Sequence, residues 1–558
     1  MALGAAALLA APPVRAQSLC DGRPIREIRV RTASLFVPGD RDYLGLARAA
    51  GNAVHWQTRP EVVRRELLFQ EGDPCDLARL AETARVLRAQ PYLREAVVAP
   101  VAAPGGRVDV LVETRDEWSL RASARLGGDD GFPVRQVRVA EENVLGRGLR
   151  VQLRYDGQRR RPAYDVDATT HQFLGRLEAQ GVTGRSSVGL VGEERVLRPF
   201  KSEYDRVSWR ESVRYRKEPF FLVAPALGWV DVPVLAVSAD LGAAARWGTP
   251  GRLALLGGAF SAERLLAVDA PMAHEALDDA AAAAAVGGRY SERRRIRLHL
   301  FAGARAVRFR PRYGVDAVHA LDDAWEGVEA GLVVGKSLFG SAGLQRDWFA
   351  AGELAVGAEF QSALAFLRGK IEGRYLLADR HWDGVLAHGQ ALIYSDVSQR
   401  GVFVLSASGA GGWNTRTPFQ LRLGGPTGIR GYGMNALPVG RRIVLQGEHR
   451  YFVGTLLGAA DVGTAAFVDV GRGWVGDAVF GEDTGLRASV GGGLRIAAPR
   501  GSRRTYRIDL AMPLTHGGGL EFQVGVNQQF GVFRGEPADL ARSREQVSSS
   551  TIFNFPRY

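Results

Sequence analysis

Little in this chain is arranged for covalent chemistry. Its nine histidines are scattered over 558 residues. His274-Glu275 lacks the second histidine that a zinc-binding helix requires, and no Gly-x-Ser-x-Gly turn presents a nucleophile. Catalysis, a resident metal and a cofactor are therefore not expected. The two cysteines, Cys20 and Cys75, leave two alternatives open, a single disulfide or two separate thiols, because spacing alone does not bring their Cα atoms within bonding distance. The most unusual residues are glycine-rich and charged. Leu423-Gly424-Gly425-Pro426-Thr427-Gly428-Ile429-Arg430-Gly431-Tyr432-Gly433 is followed by Val444-Leu445-Gln446-Gly447-Glu448-His449-Arg450-Tyr451-Phe452, and then by Phe467-Val468-Asp469-Val470-Gly471.

The elements that carry these runs follow from charge and hydropathy. The formal net charge is +12, and Lys201, Lys217, Lys336 and Lys370 are the only lysines. The arginines are spread evenly and often alternate with apolar residues. That pattern suits a solvated barrel lumen better than a phosphate-tracking patch, and an exported chain does not meet nucleic acid. Mean hydropathy is −0.09, and no run of about 18 apolar residues exists, which excludes helical membrane spans. Met1 to Ala16 is small and apolar and ends in Val14-Arg15-Ala16. It reads as a signal peptide cleaved before Gln17, although a basic leading region is missing.

From residue 17 to 118 the pattern is that of one small α+β domain. Ile25 to Arg31 reads as a strand. Thr58-Arg59-Pro60-Glu61 reads as a capping box that opens a helix with Val62, Val63, Leu67 and Leu68 as its buried stripe. Gly72-Asp73-Pro74 ends that helix. A second begins near Asp76, places Leu77, Leu80, Ala84 and Leu87 on one face, and stops before Pro91. Two strands, Arg94 to Val101 and Arg107 to Thr114, then form a hairpin across Ala102 to Gly106.

From residue 119 to 530 the period changes to two. Leu120, Ala122, Ala124 and Leu126 alternate with Ser119, Arg121, Ser123 and Arg125. The same alternation recurs at Leu149–Tyr155, Ile296–Leu300 and Tyr506–Leu510. Apolar residues on one face and arginine, serine, glutamine and aspartate on the other are the signature of a strand between lipid and water. Backbone polar groups in hydrocarbon must pair internally, so such strands close into an antiparallel transmembrane β-barrel. The length leaves room for about 16 strands. Gly127 to Gly131 reads as a turn, and Leu265 to Gly288, with its alanine run, as a long loop. Phe522, Val524, Val526, Gln528 and Phe530 read as one face of the last strand. Residues 531 to 558, rich in serine and charge, read as a disordered tail.

Two resemblances sharpen this reading. The β-α-α-β-β order, with Glu71-Gly72-Asp73, Pro91-Tyr92-Leu93 and Val110-Leu111-Val112-Glu113, resembles a polypeptide-transport-associated (POTRA) domain. The three runs quoted above resemble, in order and spacing, the C-terminal barrel of the BamA/TamA superfamily. That resemblance implies a loop folded back into the lumen, with Gly425, Ile429, Arg430, Gly431 and Tyr432 at its tip. Arg430 would pair with Asp469, with Glu448 and Gly471 on the neighbouring wall. An arginine deep in a barrel needs an acceptor, and a carboxylate matches its planar fork.

The resemblance further implies a Gram-negative outer-membrane protein with its first domain in the periplasm. It would contact outer-membrane lipids and insert, assemble or translocate β-rich clients, by strand addition at the POTRA domain and at a barrel seam. The alternatives are a two-partner-secretion transporter for a dedicated exoprotein and a non-transporting pore or surface barrel. The first of these is disfavoured by the single POTRA domain and the lack of a spare lumen plug. One such domain is also few for docking accessory lipoproteins.

Overall fold

The structure is a computed structural model. It describes residues 19–20, 22–36, 45–126, 134–157, 162–225, 227–275, 277–290, 292–338, 346–395, 400–425, 428–433, 436–515, 519–528, 530–531 and 536–547. The expected signal peptide (1–16), the turn at 127–131, Pro426 and Thr427 of the glycine-rich run, and the tail beyond Val547 lie outside the described residues.

The N-terminal domain is a three-stranded sheet with helices on it. Strand β1 (Ile25–Ala33) pairs in parallel with the central β3 (Val108–Asp116), which pairs antiparallel with β2 (Leu93–Ala102). Helices α1 (Gly45–Val54), α2 (Pro60–Arg64) and α3 (Leu77–Arg88) accompany it. Ile25, Ile28, Val62, Val63, Leu80, Leu87, Val108, Val110 and Val112 form one core, and the Cys20–Cys75 disulfide seals its edge with a Cα separation of 5.0 Å.

The expected capping box is not made. Arg59 is the N-cap of α2, with Pro60 inside the first turn and no side-chain cap. Thr58 is drawn elsewhere, its amide donating to Asp116 and its hydroxyl accepting from Asn143 at the start of the barrel. Leu67 and Leu68 fall beyond the one-turn helix, and α1 is an element that hydropathy did not single out. Asp76 does cap α3, accepting from the Ala78 amide.

The remaining strands are β4 to β9 (Leu120–Leu126, Val134–Val144, Leu149–Asp156, Ala163–Thr170, Glu178–Arg185, Leu190–Arg198) and β10 to β14 (Val207–Ala224, Gly228–Thr249, Arg252–Ala267, Met272–His274, Arg293–Tyr313). They continue as β15 to β19 (Leu321–Ser337, Asp347–Phe360, Ala363–Leu376, His381–Ser395, Gly401–Trp413), β20 and β21 (Leu421–Arg422, Pro438–Val439), and β22 to β26 (Arg441–Leu456, Ala460–Trp474, Gly485–Ala497, Tyr506–Pro513, Glu521–Val526). All but β20 and β21 belong to one antiparallel sheet of 21 strands. Its order is cyclic, with β9 beside β10 and β26 beside β4, so that it closes into a barrel.

The expectation of about 16 strands is therefore too low. Most of the excess lies in one arc, where strands of 7 to 11 residues and short turns fit six strands into Leu120–Arg198. The three-residue β13 adds one more, pairing with β11.

Alternation decides the faces. On β14, Leu298 and Leu300 point outward while Arg295, Arg297 and His299 are buried inside. On β22, Ile443 and Leu445 point outward while Arg442, Glu448 and Arg450 are buried. The small domain sits over one mouth. There Lys201 pairs with Glu66, Arg88 with Asp323, and Ser502 with Glu117. At the far mouth the expected long loop contains α4 (Asp279–Val286), capped by Asp278 and packed on Leu222, Val230 and Val479.

Two expectations at the C-terminus are corrected. Only Phe522, Val524 and Val526 face outward; Gln528 and Phe530 turn inward and are buried. Of the tail expected to be disordered (531–558), the described stretch Ala538–Val547 is helix α5, with Leu540, Ser543 and Arg544 buried. A helix inside a polar lumen can satisfy the charge that argues against order in water.

Candidate functional site

Between β19 and β22 the chain leaves the wall at the far mouth and folds into the lumen. The loop holds its own shape through the short β20–β21 pairing and through Leu423, Ile429, Tyr432 and Leu437, which pack on Val444 of the wall. Its tip is Arg430. The Arg430 guanidinium donates through Nε and Nη2 to the two oxygens of Asp469, at 2.8 and 2.7 Å, and through Nη1 to Glu448 at 2.7 Å; its backbone amide also donates to Asp469 at 3.1 Å. The guanidinium carbon of Arg430 lies 3.4 Å from the centre of the Phe467 ring. Arg430, Glu448 and Asp469 are fully enclosed.

Two glycines permit this close approach. Gly431 adopts a φ of +86°, a left-handed conformation that strains residues with side chains. At Gly471 an added Cβ would lie 2.8 Å from the Ile443 carbonyl oxygen and 3.0 Å from the Ile429 side chain. The Gly431 amide donates to Glu521 of β26 at 2.9 Å, and the Tyr432 hydroxyl meets that of Thr515 at 2.6 Å. The tip thus touches both its own wall and the last strand.

Residues 386–530 match the family model of the Omp85 superfamily domain. This stretch, about a quarter of the chain, carries an Omp85 superfamily domain. Three solved barrels are similar to it: BamA from Haemophilus ducreyi lacking POTRA domains 1-3 (12% identity, 91% of this chain, 84% of that chain, TM-score 0.34), CdiB from Escherichia coli (12%, 91%, 75%, 0.40) and CdiB from Acinetobacter baumannii (11%, 90%, 73%, 0.36). These likenesses are too loose to carry a role over. A curated relative, the L-2-amino-4-chloropent-4-enoate dechlorinase/desaturase of Streptantibioticus cattleyicolor, is 30% identical over 138 residues, 24% of this chain. The chain spans about a quarter (26%) of that enzyme's length, and its chemistry is not transferred on so short a match.

Within the Omp85 domain, Gly425, Ile429, Arg430, Gly431, Tyr432, Glu448, Asp469 and Gly471 all gather at this tip. Sequence reasoning missed the ring of charge behind them. Glu448 also accepts from Arg450 at 2.9 Å and Arg495 at 3.3 Å, while Arg495 donates to Asp509 at 2.6 Å. Asp509 lies 3.7 Å from Arg430 and 3.3 Å from Arg507. Period-two parity alone places Arg495, Arg507 and Asp509 on inward positions of β24 and β25, so that signal was available. Removing one partner from such an enclosed set strands a charge, at a cost of about 3–5 kcal/mol.

A second enclosed cluster lies within the wall. Arg297 binds Asp347 through two hydrogen bonds of 2.8 and 2.6 Å, Arg295 approaches the same carboxylate at 2.8 Å, and Glu263 takes both arginines at 3.2 and 3.3 Å. A third group resembles hydrolase chemistry in composition only. His55 lies 2.8 Å from Asp116 and 3.1 Å from Ser119. Its side chain is 2% exposed and that of Asp116 0%. Asp116 is also tied to the Thr58 amide at 2.8 Å. The group latches the end of α1 to the β3–β4 junction. Among the described residues no group of three or more His, Cys, Asp and Glu is arranged to hold a metal ion.

Proposed function

We propose that this Omp85 barrel lies in the outer membrane of a Gram-negative cell and assists the insertion, assembly or translocation of β-rich proteins. Its α+β domain acts in the periplasm as a POTRA domain. The observation that carries the reading is the tip of the lumen loop, where Arg430 is fixed on Glu448 and Asp469 of the wall while Gly431 bonds Glu521 of the last strand. A loop held this way couples lumen shape to the β26–β4 join, where a client strand would pair with freed N–H and C=O groups. The outward band of leucine, valine and aromatic side chains supports contact with membrane lipids.

The small domain supplies a receiving edge. β2 is an edge strand, and beside it lies a cavity of about 630 Å³, lined by Ala96 and Val98 of β2 and by His319, Leu321 and Asp461 at the near mouth. An extended client segment could add there through main-chain hydrogen bonds, which tolerate diverse sequences. A second reading, translocation of a dedicated exoprotein through the lumen, is favoured by one observation: the chain's own C-terminal segment already runs inside it.

The test is the folding rate of an unfolded outer-membrane protein in liposomes, with and without the reconstituted chain and its Arg430→Ala variant. Acceleration by the native chain that Arg430→Ala loses is expected. No acceleration by a folded native barrel would reject assembly and leave secretion or a passive pore.

A further inference from the structure

After β26 the described residues Gln528, Phe530 and 538–547 lie inside the barrel. Gln528 accepts from Arg495 at 3.0 Å and donates to the Asp316 carbonyl at 3.1 Å. Phe530 is buried among Val315, Tyr394, Val402 and Val404, and its carbonyl accepts from Arg450 at 2.8 Å. Both residues lie near the mouth under the small domain. Helix α5 then lies close to the far mouth. Asp539 binds Arg442 of β22 and accepts from the Arg422 amide at 3.1 Å. Leu540 is fully buried among Leu386, Ala410, Phe419, Leu421 and Val439. Arg544 pairs with Glu372 of β17 and with Glu536. From the opposite face of the helix, Arg542 donates to the Pro219 carbonyl of β10 at 3.2 Å and lies over the Phe220 ring at 4.8 Å.

These contacts reach wall strands well apart in the ring, β10 on one side and β17, β18 and β22 on the other. The helix therefore bridges the lumen rather than lining it. What remains open beside it is a polar cavity of about 490 Å³, lined by Arg154, Arg214, Arg216 and Glu218 of the wall and by Ala541 and Arg542 of the helix.

We propose that helix α5 is a built-in, displaceable plug: it is clamped by the Asp539–Arg442 and Arg544–Glu372 ion pairs and must withdraw before the pore conducts. The composition fits a removable part. Among its described side chains one apolar group, Leu540, is fully buried, and the other holds are ion pairs, single hydrogen bonds and the Arg542 contact with the Phe220 ring, which a competing charged chain can replace one by one. This inference does not depend on which clients the barrel serves.

The experiment uses the full chain in planar bilayers and in liposomes. Asp539→Arg places two like charges together at Arg442 and should raise ion conductance severalfold. Adding Arg442→Asp recreates the pair with its charges exchanged and should restore the low conductance, which separates loss of the clamp from general damage. In parallel, Ala541→Cys should react slowly with a bulky thiol reagent in the native background. It should react at least about tenfold faster with Asp539→Arg, because losing one partner of a buried ion pair weakens docking by more than one such step. Equal conductance of the native chain and Asp539→Arg, both shown to be folded by heat-shifted gel mobility, would overturn the plug. So would rapid labelling of Ala541→Cys in the otherwise native chain.

Discussion

Two enclosed arginine clusters in the same barrel have opposite jobs. Arg295 and Arg297 bind Asp347 and Glu263 across β12, β14 and β16. The β12–β14 ladder and the β14–β15 and β15–β16 ladders already hold these strands in register. The charges there reinforce what main-chain pairing fixes. Arg430 instead joins a loop to the wall, and that loop's main-chain pairing, the β20–β21 ladder, a Gly424–Ile429 bridge and turns such as Gly425 to Tyr432, shapes the loop rather than tying its tip to the wall. Its position depends on side chains. The lesson is that similar chemistry stabilises the barrel in one place and sets the loop in the other, and that only the second can be released without unzipping strands.

The sharpest way to break the comparison is a matched pair of truncations. Arg430→Ala should reduce client-folding activity by at least about tenfold, the loss of one buried ion-pair partner being worth several kcal/mol to loop docking, while leaving the unfolding temperature nearly unchanged. Arg297→Ala should do the reverse, lowering the unfolding temperature measured by heat-shifted gel mobility and sparing activity per folded barrel. If both variants lose activity and stability in the same proportion, the clusters are one structural system.

An effect of similar size belongs to the disulfide, which acts on the small domain alone. Cys20→Ser opens a loop of 55 residues, worth about 4 kcal/mol in the chain-entropy account. Urea unfolding should show the α+β transition moving to lower denaturant while the barrel transition stays. A coincident shift of both would mean that domain and barrel unfold as one unit.

A smaller effect is expected at the floor of the loop. Gly471→Val would press on Ile429 and the Ile443 carbonyl, an overpacking cost of about 1–3 kcal/mol. Protease cleavage within 414–440 should then accelerate, and Ile429→Ala should partly reverse it. Unchanged cleavage would show that the loop does not rest on this wall.

The mildest is a pH effect in the small domain. Hydrogen bonds from Arg26 and Arg29 hold the Asp109 carboxyl below its ordinary range. A group depressed in the folded state stabilises above its unfolded value and loses that contribution as pH falls through the folded value. Stability of the domain should therefore decline in acid below about pH 4, and less steeply in Asp109→Asn. Identical acid profiles would remove the ion pair from the account.

Much of the architecture is legible along the chain. Alternation of arginine with leucine at Ile296–Leu300 marks a strand between water and lipid, and the observed faces follow it, because a strand's side chains alternate whatever the fold around them. The tip residues were legible from their runs. Three features were not. Six short strands between Leu120 and Arg198 raise the strand number beyond a uniform estimate, since turn positions depend on closure of the whole sheet.

Thr58 has the local pattern of a helix cap, yet Asn143 and Asp116, distant in sequence, offer its hydroxyl and amide other partners. Residues 538–547 have the composition of a solvated tail, and only an enclosed polar lumen gives Asp539, Arg542 and Arg544 the partners that make a helix there. By itself, then, the sequence determined the strands of the small domain and the alternating faces of the barrel strands, which are properties of local pattern, while the loop tip was legible through the resemblance of its three runs. The tertiary structure decided how many strands close the ring, which further charges (Arg450, Arg495, Arg507 and Asp509) stand behind Arg430, and where the C-terminal helix lies, because each depends on groups that only folding brings within reach.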